Sequence, residues 1–206
     1  MNLDIRANRI AELYERRARD YDRERGRLLQ ERAWLDRFLE GIPPDGAVLD
    51  LGCGMGEPIA AYVIAAGRSV IGVDASPTLL AIARARFPAA EWIVADMRAI
   101  ALDVKVNGLL AWDSFFHLLP DEQRAMFVVF ARHAAQGARL MFTSGPSEGE
   151  SMGSYHGEPL YHASLSPQEY RRLLAAHGFV EDAFVAEDPS CGGHTIWLAT
   201  FNGAPE

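Results

Sequence analysis

The chain has 206 residues, of which 49% are hydrophobic, and a formal net charge of −8. This length and composition favour a single domain with one substantial core and leave little room for a second catalytic domain. The acidic balance argues against nucleic acid as a partner, because affinity for a phosphate backbone comes mainly from Lys and Arg. A small-molecule substrate is therefore the expectation.

The chain has only two cysteines, Cys53 and Cys191. They lie far apart and without a CxxC spacing, so the sequence predicts neither a disulfide framework nor a metal site. The N-terminus lacks the apolar run of a signal peptide, and no apolar stretch elsewhere is long enough to span a bilayer. We therefore expect a soluble, cytoplasmic protein that does not bind a membrane.

The first forty residues show a charged helical pattern, with apolar side chains at three- and four-residue spacings over 5–39. Gly26 is expected to divide this stretch into two helices. We interpret residues 1–40 as a helical cap on a core that covers 45–201, and we expect cap and core to form one domain, 1–206.

Strands and helices alternate through the core. Short apolar runs favour buried strands, and longer amphipathic stretches favour helices. The predicted strands are 47–51, 69–74, 91–95, 106–112 and 138–143, and the predicted helices are 59–66, 76–87 and 121–135. This alternation predicts an α/β fold in which helices cover both faces of a parallel sheet.

The last third of the chain begins with a segment, 144–164, that is rich in Gly, Ser, Tyr and His. It contains two prolines and shows no clear period, so we expect a long loop or lid that contacts substrate. A Ser-Pro pair at 166–167 marks the start of a helix. The runs 179–187 and 194–201 flank a short turn and are expected to pair as antiparallel strands.

A glycine-rich turn joins the first core strand to the first core helix, with the sequence DLGCGMG at 50–56. Gly52, Gly54 and Gly56 let a ligand approach the backbone, and we expect free amide groups at the helix start to meet it. A dinucleotide-binding GxGxxG pattern would need its third glycine where Glu57 stands. The turn therefore indicates a nucleotide-like ligand other than a dinucleotide.

Two acids stand at the ends of the next two strands. The carboxylate of Asp74 is placed to accept hydrogen bonds from both hydroxyls of a ribose. Asp96 is followed by Met97, which offers a polar and an apolar group to an adenine ring; the alternative for Asp96 is a helix cap. Because ligands bind at the carboxyl ends of parallel strands, these strand ends predict one site.

Together these motifs resemble the class I S-adenosylmethionine-dependent methyltransferases, over about residues 10–201. The resemblance is carried by DLGCGMG at 50–56, VDAS at 73–76, ADM at 95–97 and WDSFFHL at 112–118. It implies a Rossmann-like, seven-stranded and mostly parallel sheet with an antiparallel final strand, and an N-terminal helical cap. It also implies S-adenosyl-L-methionine as cofactor and methyl transfer as the activity.

The resemblance further implies where the cofactor is held. The glycine turn would hold its methionine part, Asp74 its ribose and Asp96 its adenine amine, while residues after the fourth strand would line the methyl group. The implied cofactor-binding residues are Tyr21, Asp50, Gly52, Cys53, Gly54, Gly56, Asp74, Ala75, Ser76, Asp96, Met97, Trp112 and Asp113.

Several side chains near this turn have two interpretations. The carboxylate of Asp50 either holds the amides of the turn or, through water, faces the cationic groups of the cofactor. Cys53 is favoured as a small buried side chain over a nucleophile, because no general base is adjacent. Tyr14 and Tyr21 resemble a cap over the cofactor, and one of the arginines at 16–17 would then meet its carboxylate.

His117 is the candidate catalytic residue, since the ordinary pKa of an imidazole permits proton transfer near neutrality; a packing role is the alternative. Trp112, Phe115 and Phe116 either form an aromatic wall for a planar substrate or pack in the core. Phe116 is the substrate candidate among them.

Three side chains of the segment 144–164 are further substrate candidates, because their polar tips suit orienting a substrate or closing a lid. They are Tyr155, His156 and Tyr161. Two aromatic residues of the final strand pair, His194 and Trp197, are interpreted as structural.

Two other functions stay open at this point. A non-catalytic S-adenosylmethionine-binding module would keep the same glycine turn. A dinucleotide-dependent oxidoreductase is disfavoured by Glu57 and by the short chain. In-line methyl transfer needs mainly positioning and exclusion of water, so the lack of an obvious acid–base pair does not argue against a methyltransferase. The acceptor atom (O, N, C or S) and the oligomeric state stay open.

Overall fold

The computed structural model describes residues 9–203. The predicted start of the cap, residues 1–8, lies outside this described part. Within residues 9–203 the cap has three helices where two were predicted: α1 Ile10–Arg16, α2 Ala18–Glu24 and α3 Arg32–Glu40. Gly26 lies in the second break as expected. The first break falls at Arg17, where neither Gly nor Pro signals it in the sequence.

The core follows the predicted alternation. In chain order its elements are β1 Ala47–Leu51, α4 Ile59–Ala65, β2 Ser69–Asp74, α5 Pro77–Arg86, β3 Glu91–Val94, β4 Val106–Ala111, α6 Pro120–His133, β5 Ala134–Ser144, β6 Gly149–Tyr155, β7 Glu158–Ser164, α7 Pro167–Ala176, β8 Phe179–Asp188 and β9 His194–Phe201. Short 3₁₀ turns follow β3, β4 and β8. The helix α6 ends two residues earlier than predicted, and β5 begins directly after it.

The main sheet has seven strands in the order β3-β2-β1-β4-β5-β9-β8. Strands β1 to β5 are parallel, and β9 runs antiparallel to both of its neighbours. This confirms the predicted sheet with its antiparallel final strand. The chain leaves β1 toward β2 on one side and returns to β4 on the other, so the strand order reverses between β1 and β4, where ligands bind in such sheets.

Alternate side chains of the central strands build two buried layers. Leu49 of β1, with Leu109 of β4, faces α6 and α7. Val48 and Leu110, one residue away on the same strands, face α3, α4 and α5. Because successive side chains of a strand point to opposite faces, a sheet with helices on both faces needs apolar residues in continuous runs. No helix of the described residues is long and apolar enough to cross a membrane.

The segment 144–164 is a β-hairpin, which corrects the predicted loop. Strand β6 pairs antiparallel with β7 and with no strand of the main sheet. The connection is His156-Gly157, whose φ angles of 50° and 77° fit the two-residue turn of a hairpin. Nearly all residues of β6 are exposed and several are Gly or Ser, so no apolar alternation marked this strand in the sequence.

Candidate functional site

A cavity of about 850 Å³ lies at the carboxyl ends of β1 to β4, under α1 and α2. Nine predicted site residues line it: Tyr21, Gly52, Gly54, Asp74, Ala75, Asp96, Met97, Asp113 and the candidate base His117. The strand ends that the motifs singled out do therefore converge on one place.

Five predicted cofactor-binding residues do not line this cavity. Ser76 is fully buried and its hydroxyl caps α5 by accepting from the amide of Leu79 at 3.1 Å. Trp112 is buried in the layer that faces α3, because it continues the apolar run of β4. The others belong to the run 50–56 but are not among the lining residues: Asp50, Cys53 and Gly56.

Amides of the glycine turn are hydrogen-bonded within the protein. The amides of Gly52 and Cys53 both donate to the carbonyl of Val73, at 2.7 and 3.1 Å. The amide of Gly54 donates to the Asp74 carboxylate at 2.9 Å. The helix α4 begins only at residue 59, so the turn and the helix start are separated.

Glycine is required at position 52 by close packing. Its φ of 79° is in the left-handed region, and a Cβ built there would lie 2.3 Å from Cβ of Ser114. The turn after β4 therefore packs directly against the backbone of the glycine turn. The Ser114 hydroxyl also donates to the carbonyl of Leu51 at 2.6 Å, which fixes that packing.

Asp74 is held in the cavity by two backbone amides. One carboxylate oxygen accepts from the amide of Ser76 at 2.8 Å, and the other accepts from the amide of Gly54 at 2.9 Å. Burial raises the pKa of this carboxyl, and the hydrogen bonds from the backbone act in the opposite direction. Each oxygen of an ionised carboxylate has a second acceptor position, so two hydroxyls can still bind.

Asp50 belongs to β1 and is almost completely buried. Burial, and then the nearby charge of Asp74, raises its pKa to about 7. Because the amides of Gly52 and Cys53 donate to β2, the first interpretation of Asp50, as the group that holds them, does not apply. Burial also raises the pKa of the Cys53 thiol, which disfavours its thiolate and fits an inert side chain.

Asp96 does cap a helical turn, as its alternative interpretation stated. It accepts from the amide of Arg98 at 2.9 Å and pairs with the Arg98 guanidinium, which also reaches Glu122. Burial raises the pKa of Asp96, but the hydrogen bonds from Arg98 outweigh it and lower the pKa overall. The carboxylate lines the cavity as well, so capping does not remove it from the site.

His117 is buried and is fixed in one tautomer. Its Nδ1 lies 2.8 Å from the carbonyl oxygen of Tyr161, which can only accept, so Nδ1 carries the proton. Nε2 is then unprotonated and accepts from the Tyr14 hydroxyl at 3.3 Å. Burial lowers the pKa of His117 to about 4. The imidazole at the cavity is therefore neutral near pH 7.

The arginines at 16–17 do not point to a ligand carboxylate, which corrects the expectation for them. Arg16 and Arg17 both donate to the carboxylate of Glu158 on β7, at 2.6 and 3.1 Å. Their charges are therefore used to join the cap to the hairpin.

The three hairpin candidates do not line the cavity either. The Tyr155 hydroxyl and the His156 ring both bind Glu24 of α2, at 3.1 and 3.0 Å. The ring of Tyr155 also stacks on Tyr14, with centroids 6.2 Å apart. Tyr161 is fully buried and its hydroxyl donates to Glu150 at 2.7 Å. The hairpin therefore packs against the cap, and Tyr155 contacts the cavity-lining ring of Tyr14.

The predicted aromatic wall divides between the core and a second cavity. Trp112 and Phe115 are buried in the two core layers. Phe116 lines a separate cavity of about 750 Å³ between the end of β5 and the hairpin. Trp197 is fully buried and donates to Ser144 at 3.0 Å, so its structural interpretation is confirmed.

His194, interpreted from sequence as structural, is joined to the cavity. Its Nε2 lies 3.0 Å from a carboxylate oxygen of Asp113. The two residues are 81 positions apart, and no local pattern could have paired them. Glu122 also lines the cavity and was missed, because it lies in α6, past the last predicted motif at 112–118.

Residues 48–137 match the model of a family described as a methyltransferase domain. This match identifies residues 48–137 as similar to a methyltransferase domain. A curated relative, trans-aconitate 2-methyltransferase from Azoarcus sp. (strain BH72), is 36% identical over 106 residues. That match covers 50% of this chain and 41% of the relative, so the chain spans less than half of the relative's length in the match.

Solved methyltransferase structures share the fold of the domain and of its cap. Magnesium protoporphyrin IX methyltransferase from Synechocystis PCC 6803, with bound S-adenosylmethionine, gives a TM-score of 0.73 at 18% identity over 95% of this chain and 96% of that one. A second structure is the 1,6-didemethyltoxoflavin-N1-methyltransferase of Burkholderia thailandensis, solved with 1,6-didemethyltoxoflavin and S-adenosylhomocysteine. Its TM-score is 0.69 at 18% identity, and the match covers 98% of this chain and 88% of that one. At such identities the likeness establishes the fold.

Proposed function

We propose that the chain binds S-adenosyl-L-methionine in the main cavity and transfers its methyl group to a small-molecule acceptor by in-line displacement. The observation that carries this proposal is the Asp74 carboxylate. It is fixed by the amides of Gly54 and Ser76 at the point where the strand order reverses. A carboxylate held in this way has both oxygens ready for the two hydroxyls of a ribose.

The charges of the cavity fit a cationic ligand. Four carboxylates line it, and Asp50 lies behind them. The guanidinium of Arg98, which also lines the cavity, is paired with two of these acids, Asp96 and Glu122. S-adenosylmethionine carries a sulfonium and an ammonium group, so its binding places positive charge among these carboxylates. The lining carboxylates are Asp74, Asp96, Asp113 and Glu122.

The bound cofactor supplies a methyl group that its sulfonium already activates. The chain then has to exclude water and hold the reactants in line. Tyr14 and Tyr21 line the cavity from the cap, with their rings edge to face and their centroids 5.3 Å apart. We assign binding of the adenine to Asp96 and Met97. We assign binding of the methionine part to Gly52 and Gly54.

His117 is the group that we assign to the proton of the acceptor. Its unprotonated Nε2 accepts the proton that leaves an attacking hydroxyl or N–H group, in place of the Tyr14 hydroxyl that it binds in this structure. Because the pKa of His117 is about 4, the proton passes on to solvent at neutral pH. We assign to Phe116, Tyr155, His156 and Tyr161 roles in shaping and closing the acceptor side.

We further propose that the protein acts in the cytoplasm as a single domain. Both cysteines are free thiols, which fits a reducing compartment. The net charge of −8 supports a small-molecule acceptor over nucleic acid.

Calorimetric titration of the full chain with S-adenosylhomocysteine, with NADH in parallel, tests this assignment. Micromolar binding of the first ligand and none of the second supports it. Binding of NADH, or of neither ligand, contradicts it. Release of S-adenosylhomocysteine from S-adenosylmethionine with any acceptor then separates an enzyme from a binding module.

A further inference from the structure

Asp113 presents its carboxylate to the cavity from a constrained backbone. Its φ of 50° lies in the left-handed region, which Asp adopts more readily than most residues. Its amide donates to the hydroxyl of Thr143 on β5 at 2.9 Å, and the residue lines the cavity directly after β4. The position of this carboxylate is therefore set by the fold.

The ring of His194 binds Asp113 in a way that requires the charged form of the imidazole. Its Nδ1 lies 2.6 Å from the carbonyl oxygen of Cys191, and its Nε2 lies 3.0 Å from the Asp113 carboxylate. Both partners accept hydrogen bonds, so both ring nitrogens must donate, and only the imidazolium does this. The hydrogen bond and charge of Asp113 raise the pKa of His194, in agreement with the geometry.

Other charged and titratable groups also face the pair of His194 and Asp113. Arg25 lies 3.8 Å from Asp113, but it also pairs with the buried carboxylate of Glu31 at 3.4 Å. The remaining groups facing the pair are Tyr14, Tyr21, His117, His162 and Cys191. Burial moves the pKa of the tyrosines and the thiol up and that of the two histidines down, away from neutrality.

We propose that His194 is a specificity-determining residue whose positive charge masks the Asp113 carboxylate, and so sets how strongly the cavity attracts a cationic ligand. When the imidazolium loses its proton, Asp113 presents its full negative charge to the cavity. Affinity for S-adenosylmethionine then rises relative to an uncharged ligand of the same cavity. This inference rests on the proposed function, because it needs the cationic cofactor to bind beside Asp113.

The matched variant is His194→Gln, which keeps a side-chain amide donor for Asp113 and has no charge. At about pH 6 the variant should bind S-adenosylmethionine roughly fivefold more tightly than the wild type, because no positive charge then masks the Asp113 carboxylate. As the pH is raised and His194 of the wild type loses its proton, the two affinities should converge. Adenosine, which carries neither cation, should bind both proteins alike.

Asp113→Asn supplies the second half of a double-mutant cycle, measured by calorimetry at both pH values. In that background His194→Gln should change the affinity for S-adenosylmethionine by less than twofold. Equal or weaker binding by His194→Gln at low pH would overturn the inference, as would a difference that persists at high pH or in the Asp113→Asn background. If the wild type binds no S-adenosylmethionine, the proposed function fails instead.

Discussion

Asp74 joins the glycine turn, the start of α5 and the cavity through one carboxylate. In the wild type the Asp74 carboxylate accepts from two backbone amides. In Asp74→Asn the side chain loses its charge and presents an NH₂ group, which cannot accept, to one of them. We expect the affinity for S-adenosylhomocysteine to fall about 10- to 100-fold, since hydrogen bonds to charged groups contribute about 1.5–3 kcal/mol each. Calorimetry at neutral pH measures this change.

Asp103→Asn is the matched control, because Asp103 is exposed in the loop before β4. It should bind S-adenosylhomocysteine as the wild type does. An Asp74→Asn protein that folds and keeps wild-type affinity would contradict the assigned role of Asp74.

Asp50 makes stability depend on pH. Its pKa in the folded chain is about 7, whereas an unfolded aspartate titrates near about 3.9. Between these values the folded state binds the extra proton, so the contribution of this group to the free energy of unfolding falls as pH rises. In Asp50→Asn that loss disappears. The free energy of unfolding of the variant, relative to the wild type, should rise by a few kcal/mol between about pH 4 and pH 7.

Urea unfolding of both proteins across this pH range measures the difference, and the other carboxyl groups cancel in the comparison. A difference that stays constant with pH would show that Asp50 is ionised in the folded chain throughout.

At the scale of elements, the hairpin β6–β7 is joined to the cap by side chains. Glu158 accepts from Arg16 and Arg17, and Glu24 accepts from Tyr155 and His156. The hairpin also reaches the cavity, because the carbonyl of the buried Tyr161 fixes His117. Cap and hairpin therefore cover the site as one unit, and loosening their contact should affect ligand release.

Glu158→Gln tests this coupling. The variant keeps the shape of the side chain but loses its charge toward two arginines, so amide hydrogen exchange in β6 and β7 should become faster and S-adenosylhomocysteine should dissociate faster. Glu181→Gln is the control, since Glu181 pairs with Arg171 on the surface of α7 and β8. Unchanged exchange in the hairpin, or equal changes in both variants, would show that the cap and hairpin open independently.

The elements that the sequence predicted best are those whose apolar runs are buried in the main sheet. The bounds of β1, β2 and β9 agree with prediction, because each strand is covered on both faces or ends at a Gly-rich turn. The hairpin was missed because β6 buries almost nothing, and its connection, His156-Gly157, lacks the usual Asn or Asp.

At the scale of the molecule, one aromatic cluster connects the antiparallel end of the sheet to its helices. Trp197 of β9 is fully buried, stacks on Phe142 of β5 at 5.7 Å and contacts Phe184 of β8. Trp197→Ala should lower the free energy of unfolding by about 3–5 kcal/mol, because it leaves a cavity in a packed core. Denaturant unfolding measures this, and Val128→Ala, at an exposed position of α6, should change it little. A small effect of Trp197→Ala would mean that the core repacks.

The main sheet and the position of the main cavity agree with what the motifs and the family resemblance predicted, since ligands bind where a parallel sheet reverses its strand order. The contacts that close the site could not be predicted from the sequence. His194 with Asp113, and Glu158 with Arg16, join residues more than eighty positions apart, and only the folded chain brings such pairs together. Whether the amides of the glycine turn are free or hydrogen-bonded also depends on the register between β1 and β2, which the sequence does not specify.

The most direct test is a crystal structure of the full chain with S-adenosylhomocysteine. We predict the ligand in the main cavity, with both ribose hydroxyls on the Asp74 carboxylate, the adenine beside Met97 and the methionine part at the glycine turn. A ligand bound elsewhere, or bound in this cavity with its ribose away from Asp74, would contradict the proposed site.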